Sequence, residues 1–118
     1  MNREKMQAIG IDYDEGVKRF AGHTNLYEKF VIKFIDDPSY QALIQAMDAD
    51  DVENAFRAAH TLKGIAGNLS FHCITEPLTP MVEALRTGNL EAAKEKYPAL
   101  KSEYEKVCAC IRASADEG

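Results

Sequence analysis

Apolar residues recur along this chain at steps of three and four, the spacing of one helix face, and no segment alternates apolar and polar residues in the manner of a strand. Met1 to Ile11 offers only a short apolar anchor, Ile9 and Ile11, broken by Gly10. Asp12 is a good N-cap with Glu15 in capping-box position, which predicts a short helix that carries Val17 and Phe20 and stops at Gly22. Thr24 caps a second helix with Leu26, Phe30, Val31, Phe34 and Ile35 on its apolar side, ended by Asp36-Asp37-Pro38. Ser39 caps a third, with Tyr40, Leu43, Ile44 and Met47 as its stripe, and an aspartate of Asp48-Ala49-Asp50-Asp51 caps the next. The fourth helix runs from about Val52 to Leu69 and ends at Ser70-Phe71-His72.

Pro77 and Pro80 do not fit a regular helix interior, so the following segment is expected to start irregularly or kinked. Pro80 would sit as the first helical residue behind Thr79, with the helix continuing through Val82, Leu85 and Arg86. Gly88 offers a left-handed stop and Asn89 a new cap. Leu90, Ala93, Tyr97, Leu100, Tyr104, Val107 and Ile111 then form the seam of a long last helix, which Pro98 should kink or split near Tyr97. Ala113 to Gly118 reads as a frayed polar tail. The fold expected is all-α: extra short N-terminal helices leading into an up-and-down four-helix bundle, in one domain of residues 1–118 with 1–10 as lead-in.

Composition narrows the function. A chain of 118 residues, 46% hydrophobic and 28% charged, suits one soluble globular domain. No apolar run approaches the ~18 residues of a membrane span. The first residues carry charge with no apolar stretch behind them, unlike a secretory signal, and the initial methionine fits a free-standing protein. A net charge of −5 argues against binding nucleic acid through a basic surface. The three cysteines, Cys73, Cys108 and Cys110, form neither a disulfide framework nor a C-x-x-C motif, which suits reduced thiols in a cytoplasm.

One stretch has unusual chemistry. On the fourth helix Ala55, Ala58, Ala59, Leu62, Ile65, Ala66 and Leu69 share a broad apolar face. His60 falls near the centre of the opposite face, with Phe56, Arg57, Lys63, Gly64 and Gly67 as helical neighbours. Glycine costs about 1 kcal/mol against alanine in a helix, so Gly64 and Gly67 on one exposed stripe need a reason. The candidate reason is the approach of something large to His60. Phe56 lies about 40° from His60 around the helix and reads as an exposed docking aromatic, with the bundle edge as its alternative. Arg57 is compatible with screening, docking or plain surface, and Asn68 with a hydrogen bond near the site or a weakened helix end. His23 and His72 read as solvent or cap residues.

The string Ala59-His60-Thr61-Leu62-Lys63-Gly64, followed by Ala66-Gly67-Asn68-Leu69, resembles the signature of the histidine-containing phosphotransfer (HPt) family. The resemblance continues through Leu85 and Gly88-Asn89-Leu90-Glu91-Ala92-Ala93, from about Gly10 to Ile111. It implies a covalent carrier without turnover of its own. Such a carrier takes a phosphoryl group from an aspartyl phosphate of a response-regulator receiver domain and passes it to another receiver, with a hybrid histidine kinase among its partners. It implies His60 as the phosphorylated residue, Lys63 as the charge that balances the phosphoryl oxygens, and Gly64 as steric access. Phe56, Arg57, Gly67, Asn68 and Phe71 would meet the partner. No cofactor is implied for this chain, since Mg²⁺ would belong to the receiver, and the expected state is a monomer. Where this chain has Ser70 and Phe71, many relatives have glycine and a smaller residue, and Pro77 and Pro80 are atypical. Two other classes compete. An HPt-like interaction module that binds a receiver or kinase without carrying phosphate would be expected to lose His60 or Lys63. An enzyme or metal protein using His60, His72 and Cys73 would need groups about 18 Å apart along a continued helix to converge.

Overall fold

A computed structural model describes residues 1–117, with side chains described through Ser114. Seven α-helices follow one another among the described residues: α1 (Arg3–Ala8), α2 (Tyr13–Arg19), α3 (Thr24–Lys33), α4 (Ser39–Asp48), α5 (Val52–Asn68), α6 (His72–Arg86) and α7 (Leu90–Glu117). A 3₁₀ turn (Phe34–Asp36) extends α3. The fold is all-α, an up-and-down four-helix bundle of α4 to α7 preceded by three shorter helices. The one β-type pairing among the described residues is an isolated antiparallel bridge between Ile11 and Phe71.

The helix starts obey local chemistry. The Asp12 carboxylate accepts from the Glu15 amide at 3.1 Å, Asp51 from Asn54 at 3.1 Å, and Asn89 from Ala92 at 3.1 Å. Gly88 takes the left-handed conformation at φ 79° that ends α6. Two expected caps shift by one residue. Thr24 and Ser39 are the first helical residues of α3 and α4, and the Ser39 amide is met instead by the Asp37 carboxylate at 2.9 Å.

Four expectations about the helices need correction, the last of them at the C-terminus. The lead-in is helical: Asn2 caps α1, and Met6 is fully buried along with Ile11. α3 and its 3₁₀ extension bury Val31 and Phe34 as expected, but the helix is turned from the expected stripe at Leu26 and Phe30. Tyr27 is completely buried, whereas Leu26 and Phe30 are each 42% exposed. The rotation follows from the tyrosine hydroxyl, which donates to the Leu69 carbonyl at 2.7 Å and so satisfies its polar end inside the core. The third concerns the prolines. α6 begins at His72 and contains Pro77 and Pro80, and α7 runs unsplit through Pro98. An interior proline costs about 3 kcal/mol. Against that, α6 buries Ile74, Leu78, Met81, Val82 and Leu85, each worth about 1.5–3 kcal/mol. Packing outweighs propensity.

α7 buries Ala93, Leu100, Val107 and Ile111, four residues of the expected seam, while Tyr104 stacks on Tyr40 of α4 with ring centroids 3.7 Å apart. Where a frayed tail was expected, the helix continues past Ala113 to Glu117, with Ser114 buried; Gly118 lies outside the described residues.

The N-terminal helices are tied to the corner between α5 and α6. The Asp12 amide donates to the Ser70 carbonyl at 2.9 Å and the Cys73 amide to the Gly10 carbonyl at 3.1 Å. Gly10 has φ 95°, and a Cβ there would meet the Cys73 Cβ at 2.8 Å, so glycine is required twice over. Ser70 turns the corner at φ 59° while completely buried. Its hydroxyl donates to Glu15 at 2.8 Å, and His72 Nε2 lies 3.1 Å from the same carboxylate. The Ser70 hydroxyl, with His72 and Arg19, holds the Glu15 carboxyl below its usual range.

A Cβ on Gly16 would run into the Tyr27 ring. Gly16→Ala is therefore expected to lower stability by about 1–3 kcal/mol from overpacking, despite the better helix propensity of alanine. A denaturation midpoint at or above that of the parent would show that the ring moves aside freely. The depressed Glu15 pKa contributes stability above the unfolded value, and that contribution is lost as pH falls through the folded value. Glu15→Gln should thus be less stable than the parent at neutral pH, with the difference closing in acid below the ordinary value of 4.5. Urea titrations across pH would expose a constant difference, which would contradict this linkage.

Candidate functional site

α5 positions the candidate site by burying one face completely. Ala55, Ala59, Leu62 and Ala66 are in the core, and α5 packs against α4 on one side and α6 on the other. With that face committed, the helical period forces His60 outward, and it is exposed. The His60 ring stacks beside Phe56, with centroids 5.9 Å apart and planes inclined by 21°. It makes no hydrogen bond among the described residues, so a ring nitrogen is open to an incoming group.

Lys63 is half-buried and makes no ion pair among the described residues. Its charge is uncommitted. Gly64 and Gly67 face open space, since a Cβ on either would meet nothing within 4 Å. Nothing inside the chain requires glycine there, and the helix would be steadier with alanine. His60, Lys63, Gly64, Gly67 and Asn68 line one open hollow of about 340 Å³, and Arg19 at the end of α2 completes it. The arrangement presents an imidazole and two cations to solvent across a surface with little side-chain bulk.

The remaining expected partner-facing residues divide. Gly67 and exposed Asn68 belong to the hollow. Phe56 is half-buried between His60 and Arg86, whose guanidinium carbon lies 5.2 Å from its ring centre. Arg57 is exposed but paired with Glu53 at 2.6 Å, and it lines a different hollow, between α4 and α5. Phe71 does not belong to the surface. It is fully buried and packs edge-on against Phe34 at 4.9 Å, because the corner at Ser70 turns it inward. It offers a partner no surface, which corrects the expectation of a docking role.

Arg19 and Arg86 escaped sequence reasoning. Arg19 joins the hollow of His60 and Arg86 covers Phe56, each from another helix, and no local spacing could reveal that.

One group of metal-ligand type occurs among the described residues: the donor atoms of Asp12, Glu15 and His72 lie within 4.8 Å of one another. These atoms are already in use. Asp12 caps α2, and Glu15 accepts from Ser70 and from the Arg19 guanidinium, itself a cation. Cysteine chemistry is disfavoured too, since burial pushes the Cys73 thiol up to about 11. His23 is exposed and precedes α3 without a side-chain capping bond. No helix among the described residues is long and apolar enough to cross a membrane.

No curated protein and no solved structure matches the chain. The family model described as Hpt domain matches residues 37–110, from just before α4 into α7 and over more than half of the sequence, and the chain therefore belongs to the Hpt family, whose domains carry a phosphoryl group rather than turn over a substrate.

Proposed function

We propose that His60 accepts a phosphoryl group from an aspartyl phosphate on a response-regulator receiver domain, and that the chain, as one helical domain, passes it to a second receiver in a cytoplasmic phosphorelay fed by a hybrid histidine kinase. The observation that carries this reading is the exposed His60, beside Lys63 and two glycines that face open space, with neither the His60 nor the Lys63 side chain bonded or paired among the described residues. A neutral imidazole has a nitrogen lone pair that can attack phosphorus. Its nitrogen lone pair forms the P–N bond as the P–O bond to the receiver's aspartate breaks. That oxygen leaves with the electron pair as a carboxylate. The ring's other nitrogen keeps its proton until water takes it.

Transfer of this kind is mostly positioning and charge stabilisation. Lys63 supplies charge against the phosphoryl oxygens. Gly64 and Gly67 let the receiver's active site close over the ring, and Asn68 and Phe56 border the approach. Mg²⁺ belongs to the receiver in this scheme.

Incubated with a phosphorylated receiver, the chain should take up an acid-labile, alkali-stable phosphate. His60→Gln should abolish uptake and leave the helical circular dichroism unchanged; equal labelling of that variant would sink the assignment. Lys63→Ala should slow transfer about tenfold, equivalent to about 1.4 kcal/mol in the barrier. Rapid-quench kinetics would return Lys63 to the ordinary surface if the rate stayed the same.

A further inference from the structure

Arg19 lies outside the residues matched to the family, on α2, yet it lines the same hollow as His60 and Lys63. Its approach is anchored from behind. The Nε–H group lies 3.2 Å from the Glu15 carboxylate and 3.2 Å from the Ser70 hydroxyl, and that hydroxyl donates to Glu15 at 2.8 Å. Both hydrogen bonds of the side chain leave from Nε. The two terminal amino groups make none among the described residues, and the side chain is half exposed.

A guanidinium has five N–H donors in a rigid fork. With Nε held, the four on the terminal amino groups remain for an anion, and two parallel ones match a pair of phosphoryl oxygens. Ser70 is a non-glycine residue held in the left-handed region and fully buried, and glycine would turn this corner with less strain. Ala21 and Asp50 take the same left-handed conformation at other helix ends, whereas Ser70 also uses its side chain there to hold Arg19. The serine hydroxyl is what glycine would lack.

The geometry points to Arg19 as a second phosphoryl-binding residue of this site. Its terminal amino groups would hydrogen-bond the phosphoryl oxygens alongside Lys63, with Glu15 and Ser70 as positioning residues. The inference rests on His60 being the phosphorylated residue. Glu15 offsets part of the net charge, so the contribution of Arg19 is directional hydrogen bonding more than bulk potential.

The test compares two donors in single-turnover labelling of the full chain: a phosphorylated receiver, and phosphoramidate, which has no docking surface. Arg19→Ala and Arg19→Gln should slow labelling about tenfold with both donors, the scale of one charge-assisted hydrogen bond at a half-exposed position. Arg19→Lys should recover part of the rate, because it restores charge without the fork. Ser70→Gly should cost a smaller factor, about two- to threefold, as the arginine loses one anchor. Circular dichroism and thermal midpoints check that each variant is folded, and Arg19→Gln decides the matter if Arg19→Ala is not. Unchanged rates for Arg19→Gln with both donors would overturn the inference. Slowing with the receiver alone would also overturn it, since that places Arg19 in docking. Labelling of His60→Gln at the parent rate would remove the assignment of His60 itself, a failure distinguishable from a silent Arg19.

Discussion

The corner between α5 and α6 is the constraint on which the arrangement depends. Two segments distant in sequence, Ile11 with Asp12 and the Tyr27 turn of α3, converge on Leu69, Ser70 and Phe71. Tyr27 donates its hydroxyl to the Leu69 carbonyl, the Asp12 amide takes the Ser70 carbonyl, and Ile11 bridges to Phe71. Each of these carbonyls is one that a helix end leaves without an intrahelical donor. Meeting them from outside lets α5 stop abruptly inside the protein. It also brings the end of α2, and so Arg19, up beside the face that carries His60.

The bundle does the complementary work. Small residues on the inner face of α5, Ala55, Ala59 and Ala66, allow close approach of its neighbours, and Leu62 fills the space between. A helix gripped on one face has little freedom to rotate about its axis. The exposure of His60 is thus a consequence of core packing on the opposite side. The site itself needs few stabilising contacts, and that suits a group that must be reached by large partners from outside.

Packing also settled the contest with local propensity. Three prolines stand inside α6 and α7 without ending either helix. The buried side chains of α6 outweigh the lost backbone bonds, and Pro80 and Pro98 lie on exposed positions, where solvent can meet the freed carbonyls. The same logic turned α3. Its apolar residues surround more than one face, and the choice between Leu26 and Tyr27 was made by the Leu69 carbonyl, a partner that no window of sequence around α3 contains.

The sequence pattern determined the helical class, the span of α5, the caps at Asp12 and Asn89, the capping of α5 by an aspartate of residues 48–51, and the outward direction of His60. Each of these depends on residues within a turn or two of one another, where spacing and side-chain chemistry act directly. It also placed Lys63, Gly64 and Gly67 on the His60 side. Only the tertiary structure decided that Met6 is core, that Phe71 turns inward, that Arg57 is engaged with Glu53 beside another hollow, that Arg19 joins the hollow of His60, and that Arg86 covers Phe56. Those outcomes hang on contacts between distant segments. Their energies come from buried area and from matched donors and acceptors across helices, and neither is written in the order of neighbouring residues.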